Sequence, residues 1–328
     1  MNAIQRTLSA LLLLAPLTAC ATDRQVIEQA NDAHHELEPA VLKDPELAGY
    51  LQSMGDRIVG EAKKLSDARF GPKSHFDEDP AWMFSNSQFH FVNSETLNAF
   101  TTGGSHMYIY TQLLQQCRSE DELAAVMAHE YAHVYARHVR KGMDRQYVAM
   151  GGALAAGVLG YTLADDNKLE VAGLAAVGAG MLGSFLNQGF TRDDEAEADS
   201  LGFEFYARAG WDPARFGDFF QAMIDLGYDT TPEMMSDHPT LASRVVAARA
   251  AAAKLPADAK SWRKPAVAEG PKFKAMQSRA AQIAKSLPKD QTMETAQTLL
   301  NAVGNCLMPT DQPQQIEART KVEKALGN

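Results

Sequence analysis

The most informative segment of this chain for its fold and chemistry is Ala128-His129-Glu130-Tyr131-Ala132-His133. It lies in a segment with helical periodicity, so His129 and His133 differ by about 40° around the helix axis and point to one face, one turn apart. Two imidazoles placed in this way can hold one metal ion, and zinc suits nitrogen and carboxylate ligands. Glu130, between them, is placed to take a proton from a water molecule at that ion.

A catalytic zinc site needs a third protein ligand, and spacing ranks the candidates. His138 would lie about 180° from His129 around one continuous helix, so we expect a packed or hydrogen-bonded structural histidine there. Glu195 and Asp199 share one face of a later predicted helix, which lets one carboxylate ligate zinc while the other orients a ligand histidine. Glu197 would point about 200° away from Glu195. A solvated acidic helix start that complements the helix dipole is the alternative for this run.

Three motifs in this chain resemble those of the gluzincin peptidase family M48, which includes HtpX-like, CAAX-prenyl-protease-like and BepA-like proteins. The resemblance covers residues 42–249 and is nearest to the periplasmic lipoprotein branch of BepA-like and LoiP-like proteins. The motifs are His-Glu-x-x-His, the Glu195-x-x-x-Asp199 pair preceded by Arg192, and Asn98-Ala99-Phe100 followed by Gly103-Gly104.

The resemblance implies one zinc ion per chain and a hydrolytic role for the site. By it, the zinc ligands are His129, His133 and Glu195, and Glu130 is the catalytic base. Asp199 and Arg192 would support the ligands from outside.

The segment Asp237-His238-Pro239 followed by Arg244 is similar to the His-Pro-x-x-x-x-Arg segment of the BepA-like branch. By that resemblance His238 approaches the zinc as a fourth ligand and gate. The alternatives are a donor to the tetrahedral oxyanion and a loop histidine with no metal role. One departure from the family is His106-Met107 after the glycine pair, where aromatic or aliphatic strand residues are more usual.

Periodicity and resemblance together predict a mainly α fold with a small β-sheet, of the α+β class. We expect a zincin-type metallopeptidase domain over residues 21–255, and a linker with a small helical C-terminal extension over 256–328. The helix at residues 121–139 should have Ser119 as its N-cap, with Glu122 completing a capping box. The other helices are expected within 26–65, 193–209, 213–226 and 241–254, and the sheet within 82–110.

Two Gly/Ala-rich apolar runs, 148–164 and 171–186, predict a close-packed helical hairpin that packs on protein or touches a membrane. A true membrane-spanning pair is the alternative. The packed hairpin is favoured because each run is shorter than the roughly 20 residues that span a bilayer comfortably.

Residues 1–20 resemble a bacterial lipoprotein signal peptide, with Leu17-Thr18-Ala19-Cys20 as its lipobox. Cys20 would carry the lipid, and Ala21 after it favours the periplasmic side of the outer membrane. An ordinary secretory signal or an uncleaved anchor are the alternatives. Cys117 and Cys306 could then pair in a compartment that permits disulfides, or remain two buried thiols.

The net charge of −10 argues against nucleic-acid binding as a main role, because no basic cluster supplies a face for phosphates. We therefore expect a zinc-dependent metalloendopeptidase of the bacterial cell envelope that degrades misfolded or misassembled envelope proteins. Its partners would be unfolded polypeptides, the membrane through the lipid anchor, and the outer-membrane assembly machinery. The strand within 89–98 would hold an extended substrate by edge pairing.

Two rival functions remain open at this point. One is a non-proteolytic chaperone for outer-membrane proteins whose zinc site is silenced by His238. The other is a lipoprotein scaffold with a structural metal site. A three-ligand site with Glu130 facing an open position would favour the enzyme over both.

Overall fold

The structure is a computed structural model, and it confirms the predicted class, since helices surround one small sheet. The residues that it describes are 21–70, 80–148, 189–228, 239–263, 270–288 and 290–302. The helices are α1 Asp23–Leu37, α2 Pro45–Phe70, α3 Ala81–Ser85, α4 Thr111–Gln116, α5 Glu120–Tyr135, α6 Arg192–Ala209, α7 Asp218–Asp225, α8 Leu241–Ala253, α9 Gly270–Ser286 and α10 Gln291–Ala302. Short 3₁₀ turns occupy Glu38–Ala40, Pro213–Arg215 and Ala257–Trp262.

The sheet has three strands in the order β1-β3-β2, where β1 is Gln88–Val92, β2 is Ala99–Thr101 and β3 is His106–Tyr110. The central strand β3 pairs in parallel with β1 and antiparallel with β2, and all five of its residues are buried. The Gly103-Gly104 pair lies in the turn that joins β2 to β3. Gly103 has a φ of +82°, and a Cβ atom there would collide with Val139, so glycine is required.

The outer edge of β1 is already occupied, which corrects the expectation that this strand pairs with substrate. The backbone N–H of Leu42 donates to the Phe91 carbonyl at 2.8 Å, and that of Asn93 donates to the Ala40 carbonyl at 2.7 Å. At the other end of the strand, the Gln52 side-chain oxygen accepts from the Phe89 N–H at 3.3 Å. Three backbone groups along this edge, at Phe89, Phe91 and Asn93, are therefore already paired within the chain and unavailable to an added peptide.

The core lies between the sheet and helices α2, α5 and α6, and two helices beyond residue 256 belong to the same core. Phe273 of α9 and Met293 of α10 are buried in it. The Gln277 side chain donates to the carbonyls of Leu114 and Cys117 at 2.7 and 2.8 Å. The C-terminal extension is thus packed onto the sheet and α4 as far as residue 302.

Several predicted features lie outside the described residues. They are the leader 1–20 with Cys20, the Gly/Ala-rich runs within 149–188, His238 and Cys306. Among the helices that the structure does describe, none combines the length and apolar character needed to cross a membrane.

Candidate metal centre

Helix α5 carries His129, Glu130 and His133 and is buried along its whole length. It begins after Ser119, whose side chain accepts from the backbone N–H of Glu122, so the predicted N-cap is confirmed. The Glu122 carboxylate accepts from the backbone N–H and the guanidinium of Arg118 instead of from the Ser119 N–H. The predicted capping box is therefore only half formed.

The two histidines of α5 converge with Glu195 of α6. The Nε2 atoms of His129 and His133 are 3.0 Å apart. Glu195 Oε2 lies 3.5 Å from His129 Nε2, and Glu195 Oε1 lies 3.7 Å from His133 Nε2. One ligand atom of each residue therefore faces a common point, and all three side chains are fully buried.

A glycine allows α6 to approach α5 closely enough for this convergence. A Cβ atom on Gly202 would lie 3.0 Å from both the Cα and the backbone nitrogen of His129. Contacts this tight between helix backbones need a residue without a side chain. Gly202 lies about two turns after Glu195, so it fixes the height at which that carboxylate meets the histidines.

The other ring nitrogen of His129 faces Asp199, one turn after Glu195 on α6. Asp199 Oδ1 lies 3.0 Å from His129 Nδ1, and Arg244 of α8 pairs with both oxygens of Asp199 at 2.6 and 2.8 Å. Because a carboxylate only accepts, Nδ1 donates to Asp199, and Nε2, which faces Glu195, is the nitrogen left to bind a metal ion. The predicted spacing of Glu195 and Asp199 thus places them in these two different positions.

The same contacts set the pKa values of Asp199 and His129. Burial would raise the pKa of Asp199, but Arg244 and His129 hold it well below its usual range. Burial and Arg244 would lower the pKa of His129, but hydrogen bonds with Asp199 and Glu195 outweigh them and raise it to about 9. A metal ion at this ring consequently has to displace a proton.

The second candidate ligand histidine, His133, contacts His138, which helical spacing would place on the opposite side of one continuous helix. In the structure α5 ends at Tyr135 and Arg137 adopts a left-handed φ of 56°, after which a new helical stretch begins at 138. This break brings His138 Nδ1 to 2.9 Å from His133 Nδ1. His138 is therefore a buried hydrogen-bonded histidine, as predicted, but one that orients a member of the site.

The other ring nitrogen of His138 contacts Glu197. His138 Nε2 lies 3.0 Å from Glu197 Oε2, and Lys141 donates to the same oxygen at 3.1 Å. Glu197 thus points away from the converging ligand atoms, as its spacing predicted. Phe190 completes this side by stacking on the His133 ring at a centroid distance of 3.8 Å.

Glu130 is fully buried beside the three candidate ligands, and neither of its oxygens has a hydrogen-bond partner among the described residues. Burial raises the pKa of Glu130 to about 7, with Glu195 adding to the rise and His129 and Arg244 opposing it. Leaving a buried carboxylate without a donor is costly, so this geometry is typical of a site that gains a polar ligand there.

The donor set and its spacing fit zinc. Ligand atoms about 2.0–2.1 Å from a tetrahedral zinc ion lie about 3.3 Å from one another. The three observed separations run from 3.0 to 3.7 Å. Two imidazole nitrogens and one carboxylate oxygen also leave one position open, which is the composition of catalytic rather than structural zinc sites.

Two other predicted residues lie away from this centre. Arg192 is exposed in the first turn of α6, and the arginine that supports the ligands is Arg244. Cys117 is buried, and burial raises the pKa of its thiol well above the usual value. Its possible disulfide partner, Cys306, lies outside the described residues, so the choice between a disulfide and two buried thiols stays a prediction.

The motif at residues 237–244 includes Arg244 without predicting a role for it, although the sequence of α8 carries a signal. Buried positions of α8 follow helical spacing, and a single charged residue interrupts an otherwise apolar set, namely Leu241, Arg244, Val245 and Ala248. A charge on the buried face of a helix implies a buried partner, here Asp199. Phe190 precedes α6 without any periodic signal, and nothing in the sequence pointed to it.

A buried His-Glu-x-x-His helix with a glutamate supplied by a following helix defines a metallopeptidase of the gluzincin type. Residues 77–252 match the family described as peptidase family M48, and this segment is more than half of the chain. The chain belongs to peptidase family M48.

Curated relatives agree with this assignment. The beta-barrel assembly-enhancing protease of Yersinia pestis is 30% identical over 215 residues, which cover 64% of this chain and 40% of that protein. The protein of that name in Escherichia coli K12 is 29% identical and covers 64% and 39%. The E. coli metalloprotease LoiP is 29% identical over 155 residues, covering 46% and 57%. This chain spans about two fifths of the length of the first two.

Proposed function

We propose that this chain is a zinc-dependent metalloendopeptidase of the bacterial cell envelope that cleaves unfolded or misassembled envelope proteins. One observation carries the catalytic part. His129, His133 and Glu195 converge on one point, beside the buried Glu130 carboxylate that has no hydrogen-bond partner among the described residues.

The chain's own residues supply the acid–base chemistry. When bound, zinc lowers the pKa of water to about 7 and polarises a carbonyl oxygen. Glu130 accepts the proton of the attacking water and later delivers it to the leaving amine. Burial raises the pKa of Glu130 toward neutrality, the range in which one carboxyl group can both accept and deliver a proton. Asp199 and His138 keep the two imidazoles oriented throughout.

The ligands can be tested by metal analysis of two neighbouring carboxylates. Glu195→Gln should lose zinc from this centre, whereas Glu197→Gln removes a charge from the same helix and should retain it. Zinc retained by Glu195→Gln and lost by Glu197→Gln would show that the wrong carboxylate has been assigned.

The burial of the catalytic side chains supports an enzyme whose site has to open before substrate can bind. His129, Glu130, His133 and Glu195 are all fully buried, so a polypeptide can reach Glu130 only after the covering groups move. We propose that His238 belongs to this cover, as its similarity to the BepA-like segment implies. The cover would restrain an enzyme that works among polypeptides in transit.

An extended substrate would pair with β2 rather than with β1. β2 is the other outer strand, and it lies beside α5, which carries the catalytic residues. Its three residues are buried, so the opening that exposes Glu130 would expose this edge as well. A peptide added there would lay its backbone along the metal centre.

The envelope assignment rests on the leader and on the names of the relatives. Residues 1–20 resemble a lipoprotein signal with Cys20 as the acylated residue, and two relatives are named for β-barrel assembly. Periplasm-facing attachment to the outer membrane follows as a proposal. Fatty-acid labelling should mark the wild type and not Cys20→Ser, and label on the Cys20→Ser protein would contradict the anchor.

The substrate class is tested by offering one β-barrel polypeptide in two states. The purified protein should cleave the urea-unfolded barrel after dilution and leave the folded barrel intact. Cleavage of both states at equal rates would contradict a preference for unfolded chains. Glu130→Gln serves as the control, because it keeps the zinc ligands and should cleave neither.

Complete burial of the site also favours a second function, that of a chaperone whose zinc site is silenced. Such a protein would suppress aggregation of the unfolded barrel without cutting it. Equal suppression by wild type and Glu130→Gln, with no fragments from either, would establish this alternative.

A further inference from the structure

Three histidines meet on the sheet face opposite to α2, away from the metal centre. His90 of β1 is paired with Tyr108 of β3, and His106 lies two residues before Tyr108 on the same strand, so all three side chains share one face. His34 reaches this face from α1 and lies 3.0 Å from the Tyr108 hydroxyl through its Nδ1. The opposite face carries Phe89, whose ring packs over α2.

The three rings are in direct contact. His90 Nε2 lies 2.9 Å from His106 Nδ1, and the His34 ring stacks on the His106 ring at a centroid distance of 3.9 Å. These hydrogen bonds use one nitrogen of each ring. The second nitrogen of each has no hydrogen-bond partner among the described residues, so each ring keeps an unused donor or acceptor.

We propose that His34, His90 and His106 form a second metal site, which binds a divalent transition-metal ion that prefers imidazole ligands, such as Zn²⁺, Ni²⁺ or Cu²⁺. One ring nitrogen from each residue lies within 4.8 Å of the others. Ligand atoms around a tetrahedral ion are about 3.3 Å apart, so the rings have to close by no more than about 1.5 Å. Three imidazoles leave one position for water.

Closure requires one ring to move, and the structure indicates which one. The His34 and His106 planes differ by only 8°, and two stacked rings cannot both direct in-plane lone pairs at one ion. His34 is half-buried on the helix, whereas His106 is held within the central strand. His34 therefore has to tilt out of the stack.

Charge does not oppose binding at this cluster. Burial, with the neighbouring imidazoles adding to it, lowers the pKa of His90 to about 3 and that of His106 to about 4. Burial likewise lowers the pKa of His34. Neutral imidazole is the form that binds metal ions, so these rings need not lose a proton first.

Binding would connect three elements that are distant in sequence. The start of α1 is held by the ion pair of Asp23 with Arg137 at 2.6 Å, and the proposed ion would hold the other end through His34. Because β1 and β3 supply the remaining ligands, the ion would fasten the N-terminal helix to the sheet. The site shares no residue with the centre at His129 and does not depend on the proposed peptidase function.

The test counts zinc sites and follows the helix. Titration of metal-free wild type with Zn²⁺ should reveal two sites, and Glu195→Gln should lose the first and keep the second. His34→Gln should weaken the second site by more than about 10-fold, the least that ligand-supporting changes cost, and leave the first unchanged. His35→Gln, the exposed neighbour on α1, should bind like wild type.

A second measurement needs no substitution in the cluster. Hydrogen exchange of residues 22–37 should slow at least several-fold when Zn²⁺ is added to Glu195→Gln, in which only the histidine cluster can bind. One site in wild type, unchanged binding by His34→Gln, or unchanged exchange in this helix would overturn the proposal.

Discussion

Arg244 Nη2 lies 2.6 Å from Asp199 Oδ1, and this ion pair between a buried arginine and a partly buried aspartate contacts His129 on the side away from Glu195. The guanidinium also packs over the Phe220 ring at 4.0 Å, which fixes its position. Asp199 in turn accepts from His129 Nδ1, so the pair determines which nitrogen of His129 is left to bind a metal ion. Residues from three helices thus set the direction of one lone pair.

Asp199→Asn should weaken zinc binding by about 10- to 100-fold, as changes to groups that orient a ligand histidine do. The amide can still contact His129, but it can present its donor instead of its acceptor and no longer balances the Arg244 charge. Zinc affinity measured by competition with a chelator gives the effect. Asp193→Asn, on the exposed side of the same helix, is the control. Wild-type affinity in Asp199→Asn would show that this carboxylate does not orient His129.

Gly202→Ala should destabilise the protein by about 1–3 kcal/mol, because the new methyl group presses on the His129 backbone. A glycine-to-alanine change within a helix otherwise gains about 0.8–1.0 kcal/mol. Gly60→Ala in α2, where nothing lies within 4 Å of the added atom, should therefore stabilise. Denaturant unfolding of both variants measures the contrast. Stabilisation by both would mean that α5 and α6 are not in tight contact.

The relative positions of residues within one continuous helix could be predicted from the sequence. Positions that depend on a break in a helix could not. The different directions of Glu195 and Glu197 follow from helix geometry alone. In the structure Glu195 faces His133 and Glu197 faces His138, as that geometry predicts. The position of His138 does not, because it depends on Arg137 adopting a left-handed conformation. Arginine carries no signal for that conformation, which glycine or asparagine would have given.

The sheet shows the same division. Alternating residues indicated strands, but the blocked edge of β1 depends on residues 40–42, which are about fifty positions away from that strand. Pairing over such a distance leaves no periodic signal in either segment. The histidine cluster was equally hidden, since His34 belongs to a helix and His90 to a strand.

Stability should fall at acid pH through Asp23. Burial would raise the pKa of Asp23, but Arg137 and Arg140 outweigh it and hold the pKa below the usual value of 3.8. A carboxylate with a depressed folded-state pKa stabilises fully above its unfolded pKa, and this contribution disappears as pH falls through the folded one.

Asp23→Asn should consequently cost about 3 kcal/mol at pH 7, because it removes the buried carboxylate charge that Arg137 and Arg140 face. The difference in unfolding free energy between wild type and Asp23→Asn should shrink as the pH falls below 3.8. Denaturant unfolding of both proteins from pH 7 down to acid measures it. A difference that stays constant over that range would show that the carboxylate charge contributes nothing.

His238→Ala should increase basal proteolysis or self-cleavage if His238 gates the site, since more molecules would be open. As an oxyanion donor its loss would instead lower turnover by about two to three orders of magnitude. We expect the increase, because the catalytic side chains are fully buried. Peptidase assays at matched zinc content distinguish the two signs, and an unchanged rate would exclude both roles.

We propose that Glu130 transfers the proton at a zinc centre formed by His129, His133 and Glu195. A peptidase assay gives the sharpest test, in which hydrolysis of an unstructured peptide by Glu130→Gln is compared with hydrolysis by wild type at equal zinc content. We predict that zinc is retained and that the rate falls by about 100-fold or more. Hydrolysis by zinc-loaded Glu130→Gln at the wild-type rate would show that Glu130 does not transfer the proton.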